Sequence, residues 1–106
     1  LLAGVPVALG QDDISDAYYP YGECNMLQIA FLASHLLWMT SFEDMELLYD
    51  MVTTSAAKVL GMKGHELEVG GNADLVVLDQ KDVWHAIWKH TPPVYVIKDG
   101  IDVTLR

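Results

Sequence analysis

Asp12 and Asp13 are neighbouring carboxylates that follow an apolar run, Val5-Pro6-Val7-Ala8-Leu9, broken by Gly10 and Gln11. Acids delivered by the end of a buried strand can bind a cation or take a proton from a reacting group. Tyr18, Tyr19 and Tyr21 come next, and a tyrosine ring beside an acid is what a planar heterocycle needs for stacking and hydrogen bonding. Plainer readings stay open at this stage. Aspartates also form ordinary side-chain turns, and the tyrosines could pack against the next helix. Cys24 has no thiol, base or helix start beside it and reads as a small buried apolar residue. His35 reads as a satisfied residue on a helix, and His65, His85 and His90 lack the HxH, HExxH or i,i+4 spacing of a local metal site. The stretch from Asp12 to Asp16 lacks the alternating acids, central glycine and final glutamate of a calcium loop.

The elements that must hold these residues follow from periodicity. Residues 5–9 are short and apolar on both faces, as in a parallel strand covered on both sides, with Pro6 near its start. A helix is expected from Glu23 or Cys24 to about Met39, so widely apolar that it needs partners on several sides. Ser41 with Asp44 reads as a capping box opening a second helix, on which Phe42, Met45, Leu48, Met51 and Val52 form one stripe. A short helix over residues 55–60 is expected to be capped by Thr54 and ended by Gly61. After turn-rich residues 64–72, residues 73–79 read as a strand and residues 81–89 as a short helix. Residues 94–97 and 101–104 flank Asp99-Gly100 as a hairpin.

Composition bounds the rest. The 106 residues, 52% hydrophobic, can bury one modest core. They are too few for a (β/α)8 barrel, which takes about 250 residues. The chain opens on Leu1-Leu2 and enters a strand at once, so it reads as the tail of a longer protein. A net charge of −9 with six basic residues speaks against nucleic-acid or anionic-membrane partners. A single cysteine suits a reducing cytoplasm, and no apolar run reaches the roughly 18 residues of a membrane span.

Three tracts, Gly4-Val5-Pro6-Val7-Ala8-Leu9-Gly10-Gln11-Asp12-Asp13, Met51-Val52-Thr53-Thr54-Ser55-Ala56-Ala57-Lys58-Val59-Leu60-Gly61 and Val69-Gly70-Gly71-Asn72-Ala73-Asp74-Leu75-Val76-Val77-Leu78-Asp79, together resemble the C-terminal end of metal-dependent amidohydrolases. The run from Asp12-Asp13 through Tyr18 to Asn25-Met26-Leu27-Gln28 resembles the bacterial cytosine deaminase branch. The resemblance implies an α/β fold. Residues 1–61 would be the last βα unit and following helices of a (β/α)8 TIM barrel, and residues 62–106 the C-terminal segment of a small β-sandwich. It implies one divalent metal ion, zinc or iron, in the intact enzyme, with none necessarily bound by this stretch alone. Asp12 would be a metal ligand and the catalytic proton carrier, and Asp13 and Tyr18 would bind substrate. Tyr18 stands where that branch carries tryptophan, and Gln11 where it often has histidine. The HxH pair, the single histidines and the catalytic glutamate of the family are not found among these residues.

The function so implied, for an intact parent, is hydrolytic deamination of cytosine or a related small N-heterocycle by a metal-activated water, in a cytoplasmic homo-oligomer. The 106 residues alone are expected to be inactive. A sibling reading changes the ring to isocytosine or a triazine. A reading of another class makes the fragment a non-catalytic, self-associating structural module.

Overall fold

A computed structural model describes residues 3–105. The elements run α1 (Met26–Leu36), α2 (Phe42–Val52), α3 (Thr54–Val59), β1 (Leu75–Val77), α4 (Val83–Lys89), β2 (Tyr95–Lys98) and β3 (Ile101–Asp102). Helices α1, α2 and α4 each begin where a short polar side chain satisfies an orphan N–H, whereas α3 has no side-chain cap. Ser41 Oγ accepts from the Asp44 N–H at 3.1 Å while Asp44 Oδ2 accepts from the Ser41 N–H at 3.1 Å, the expected capping box.

The other helices start or stop off the expected residues, and local bonds explain why. Asn25 caps α1, its Oδ1 accepting from the Leu27 N–H at 3.0 Å and its Nδ2 donating to the His90 carbonyl at 2.9 Å. One side chain thus ties the start of α1 to the end of α4. The far end of α1 breaks before Trp38, whose φ is +55°. Thr54 lies inside α3 instead of capping it, because its hydroxyl donates to Asp50 Oδ1 at 3.1 Å. Asp82 opens α4 by accepting from the His85 N–H at 2.8 Å, so that helix is shorter than residues 81–89.

Three of the helices share one core. Leu27, Ala30 and Ala33 of α1, Met45, Leu48 and Met51 of α2, and Ala86 and Ile87 of α4 are buried together. Small alanines on α1 and α4 let the larger side chains of α2 come close. Only one face of α1 is covered, however: Leu36 is 80% exposed and Trp38, just beyond the helix, 88%. Within residues 3–105 one side of α1 is covered, and the further partners that its apolar surface calls for are not among the described residues. The described chain exposes 7789 Å², against roughly 5,900 Å² for a compact monomer of its mass.

The strands form an antiparallel sheet in the order β1-β2-β3. Lys98 pairs with Ile101 across a two-residue turn, Asp99-Gly100, with φ +51° and +77°. Positive φ at both positions is what a tight hairpin of this hand requires. Asp74, just before β1, locks that turn by accepting from the Asp99 N–H at 2.9 Å and from Lys98 Nζ at 2.7 Å.

Residues 5–9 do not form the expected strand. Val5 and Val7 are 61% and 37% exposed. A strand needs a ladder partner, and among the described residues none lies beside this run; the Leu9 N–H instead donates to the Met51 carbonyl at 3.0 Å.

Three aspartates link this architecture to pH. Donation from the Asp99 N–H and then Lys98 holds the Asp74 carboxyl below its ordinary 3.8. The Ser41 hydroxyl and then its backbone do the same for Asp44, and the His85 backbone and ring for Asp82. Each lowered value stabilises the fold fully above the ordinary carboxylate value, and that contribution is lost as pH falls through the lowered one. Unfolding followed as a function of pH is expected to show stability declining below 3.8, with a shallower decline in Asp74→Asn, which has no carboxylate to protonate.

Candidate active site

The loop between Gln11 and Gly22 is closed on itself. A Cβ added to Gly22 would lie 1.6 Å from the Ile14 carbonyl oxygen and 2.8 Å from Gln11 Nε2, so the two ends of the loop meet at a bare glycine. Compact loops of this length with adjoining ends are a common carrier of functional groups. Gly22→Ala is expected to force the loop open. Faster proteolytic nicking between residues 11 and 22, with the helical circular dichroism retained, would be the check, and an unchanged nicking rate would count against it.

Asp12 stands at the apex of the tightest bend in this loop. The Asp13 N–H donates to the Gln11 carbonyl at 2.9 Å, closing a three-residue turn around Asp12, whose φ is +65°. A non-glycine residue there is strained, and such strain gathers at functional positions. The side chain of Asp12 is exposed and, among the described residues, makes no hydrogen bond or ion pair. Its carboxylate is therefore free to ligate or to accept a proton.

The neighbours divide between structure and display. Asp13 is exposed, with Oδ1 accepting from the Ile14 N–H at 2.9 Å, which leaves its other oxygen open. Asp16 is structural, its Oδ1 accepting from the Tyr18 and Tyr19 N–H groups at 2.8 and 2.6 Å. Tyr18 so held is 94% exposed. No hydrogen bond or ring contact joins Tyr18 to Asp12 or Asp13 among the described residues. Tyr19 meets Tyr21 edge-on at 6.3 Å, and Tyr21 is 75% exposed, so most of the aromatic surface faces outward and not onto α1.

A cavity of about 610 Å³ lies elsewhere, between the helices and the sheet. Cys24, Met26, Tyr49, Val76 and Pro92 are among its lining residues, and none of Asp12, Asp13 and Tyr18 is. Cys24 is exposed at its rim with φ +55°, which overturns the buried reading: the residue sits on the turn leading into α1 and not under it.

Among the described residues no group of three or more histidines, cysteines and acids gathers to hold a metal. The free oxygens of Asp12 suit one ligand position of a divalent cation, not a whole site. Pro20 and Gly22 read as closing the loop from sequence, whereas the residue the sequence left aside is Asp16, which sets the display of Tyr18. An Asp two residues before Tyr18 was the available signal.

Comparison with known proteins follows the same outline. The sequence pattern of the amidohydrolase family matches residues 1–103. The chain is 36% identical over 101 residues to N-isopropylammelide isopropyl amidohydrolase of Pseudomonas sp. (strain ADP), covering 94% of the chain and 25% of that protein. It is 32% identical over 80 residues to a pterin deaminase of Rhizobium rhizogenes, covering 74% of the chain and 18% of that protein. Among solved structures, the 5-methylcytosine deaminase of Klebsiella pneumoniae bound to phosphonocytosine superposes with TM-score 0.86 at 29% identity, over 99% of the chain and 26% of that protein. The N-isopropylammelide isopropylaminohydrolase of Burkholderia multivorans superposes with TM-score 0.89 at 29% identity, over 96% of the chain and 26% of that protein. The chain thus spans about a quarter of the length of these relatives or less. A mixed helix and strand arrangement, an acid-bearing loop and a match over nearly every residue agree: the chain belongs to the amidohydrolase family.

Proposed function

We propose that the chain is the C-terminal part of a metal-dependent hydrolase that deaminates an amino-substituted N-heterocycle, in the first place cytosine or a close aminopyrimidine. The observation that carries this reading is Asp12, an exposed, unpartnered carboxylate held at a strained apex within a chain of this family. Hydrolases and deaminases of ammelide, pterin and methylcytosine type among its relatives support the ring class. Surface well beyond that of a compact monomer supports a larger parent. In that parent, residues 1–61 are the last βα unit and following helices of the barrel, and residues 62–106 the end of the β-sandwich.

A divalent ion, zinc or iron, when bound, lowers the pKa of a water toward neutrality. Asp12 is one of its ligands and holds or releases a proton at a carboxylate oxygen beside the ring. Asp13 accepts a ring N–H at its open oxygen, and Tyr18 stacks on the heterocycle. The protein works as a homo-oligomer in the cytoplasm; a monodisperse monomer by light scattering would count against the first part. Among the described residues no helix is long and apolar enough to cross a membrane.

A second reading keeps the chemistry and makes the ring a triazine. The 36% identity to an ammelide hydrolase favours it, as do Tyr18 and Gln11 in place of tryptophan and histidine. Ammonia or amine release from the full-length protein, measured on cytosine, 5-methylcytosine, isocytosine and aminotriazines, separates the two. Turnover of an aminopyrimidine is the expected result. Silence on every aminopyrimidine with turnover of a triazine replaces the lead by the second reading, and silence on all rings leaves the self-associating module.

A further inference from the structure

Two buried polar atoms at the base of the acid loop lack partners among the described residues: Gln11 Nε2, a donor, and Gln28 Oε1, an acceptor. Groups of this kind carry a large penalty when left unpaired out of water, so each marks a bond that the folded protein makes in solution. Both belong to the same small neighbourhood. Gln11 Nε2 lies against the bare face of Gly22, and Gln28 Nε2 donates to the Tyr21 carbonyl at 3.4 Å, reaching back from the first turn of α1. The unmet donor and the unmet acceptor therefore flank one dipeptide, Tyr21-Gly22, and are chemically complementary.

We propose that Gln11 and Gln28 are positioning residues, their amides joined across Tyr21-Gly22 through one buried water that accepts from Gln11 Nε2–H and donates to Gln28 Oε1. A water with such a donor and acceptor on either side would be an ordinary buried bridge. The consequence lies one residue on. Gln11 gives its carbonyl to the turn that holds Asp12 at φ +65°. Clamping the Gln11 side chain to α1 fixes the direction in which the Asp12 and Asp13 carboxylates leave the loop. Gly22 is the third part of the device, since any side chain there would displace Gln11 Nε2.

The catalytic consequence rests on the proposed deamination, whereas the pairing does not, and the test keeps them apart. In the full-length protein labelled with 15N-glutamine, Gln28→Met is expected to shift the Gln11 side-chain amide signals and speed their exchange with solvent. Gln28→Glu keeps the acceptor oxygen and is expected to leave that exchange slow; it loses only the bond to Tyr21. Gln11 signals indifferent to Gln28→Met would overturn the pairing, whatever the activity. With a turned-over ring in hand, Gln11→Met and Gln28→Met are each expected to lower kcat at least tenfold with KM changed less than threefold. The double variant Gln11→Met with Gln28→Met is expected to lose less than the product of the two, because removing both partners leaves neither amide buried alone. Multiplicative losses, or losses in KM alone, would overturn the positioning role. Coupled amide signals in a protein silent on every ring would uphold the pair and sink the deaminase reading.

Discussion

Asp12→Asn in the full-length protein is expected, on the proposed catalytic role of Asp12, to reduce kcat/KM by roughly 10²–10⁴, the usual worth of a positioned acid or base. The amide keeps the size and the left-handed backbone preference of aspartate but can neither ligate as an anion nor carry a proton. On the proposed role of Asp12 as a metal ligand, metal content should fall with activity. Asp12→Gly sharpens the prediction. Glycine relieves the positive φ that costs a side-chain-bearing residue about 1 kcal/mol, so this variant, compared with the parent after metal removal, should unfold at a slightly higher temperature while remaining inactive. A residue present for structure alone would show the opposite pairing, with stability unimproved and turnover kept. Kinetics, metal analysis and thermal unfolding on the same two variants decide the matter. Asp13→Asn, which retains an oxygen for the Ile14 N–H, should weaken substrate binding more than it slows the chemical step.

Leu48→Ala is expected to destabilise the protein by about 2–5 kcal/mol, the range for truncating a large apolar side chain in a closed core. Leu48 is 0% exposed and lies in the core that α1, α2 and α4 share. Total stability of a domain is only about 5–15 kcal/mol, so a single truncation here removes a large part of it. Neighbouring Leu47, 40% exposed, serves as the control, and Leu47→Ala should cost well under half as much. Denaturant midpoints at unchanged slope give the comparison. Equal losses at the two positions would mean that another surface covers Leu47 and that the three helices are not the principal core.

How far each of these positions could be anticipated differs for physical reasons. The α2 stripe of Met45, Leu48 and Met51 was legible because an amphipathic helix writes its buried face into a 3.6-residue period, and the Ser41 and Asp44 pairing marked its start. The Asp99-Gly100 turn was equally legible, since few other pairs accept two positive φ values in succession. Local chemistry alone sets such features.

The run 5–9 was misjudged for the opposite reason, and what would cover the outer face of α1 was not legible at all. Val5 and Val7 have the composition of a covered strand, and Leu36 and Trp38 that of a covered helix, yet burial depends on which bodies stand opposite. Composition reports a side chain's preference for leaving water; it does not supply the partner. Cys24 shows the same limit at a single residue.

By itself the sequence determined the α2 stripe and its Ser41–Asp44 cap, the hairpin turn, the family, and the residues Asp12, Asp13 and Tyr18 as candidates for chemistry. These are readable because they rest on local backbone preferences and on side-chain chemistry carried by the residue itself. Only the tertiary structure decided that α4 packs on α1 and α2, that Asp12 occupies a strained apex, and that Gly22 meets Ile14 and Gln11. Those features arise from contacts between segments distant along the loop or the chain, whose energies depend on separations that no residue type encodes.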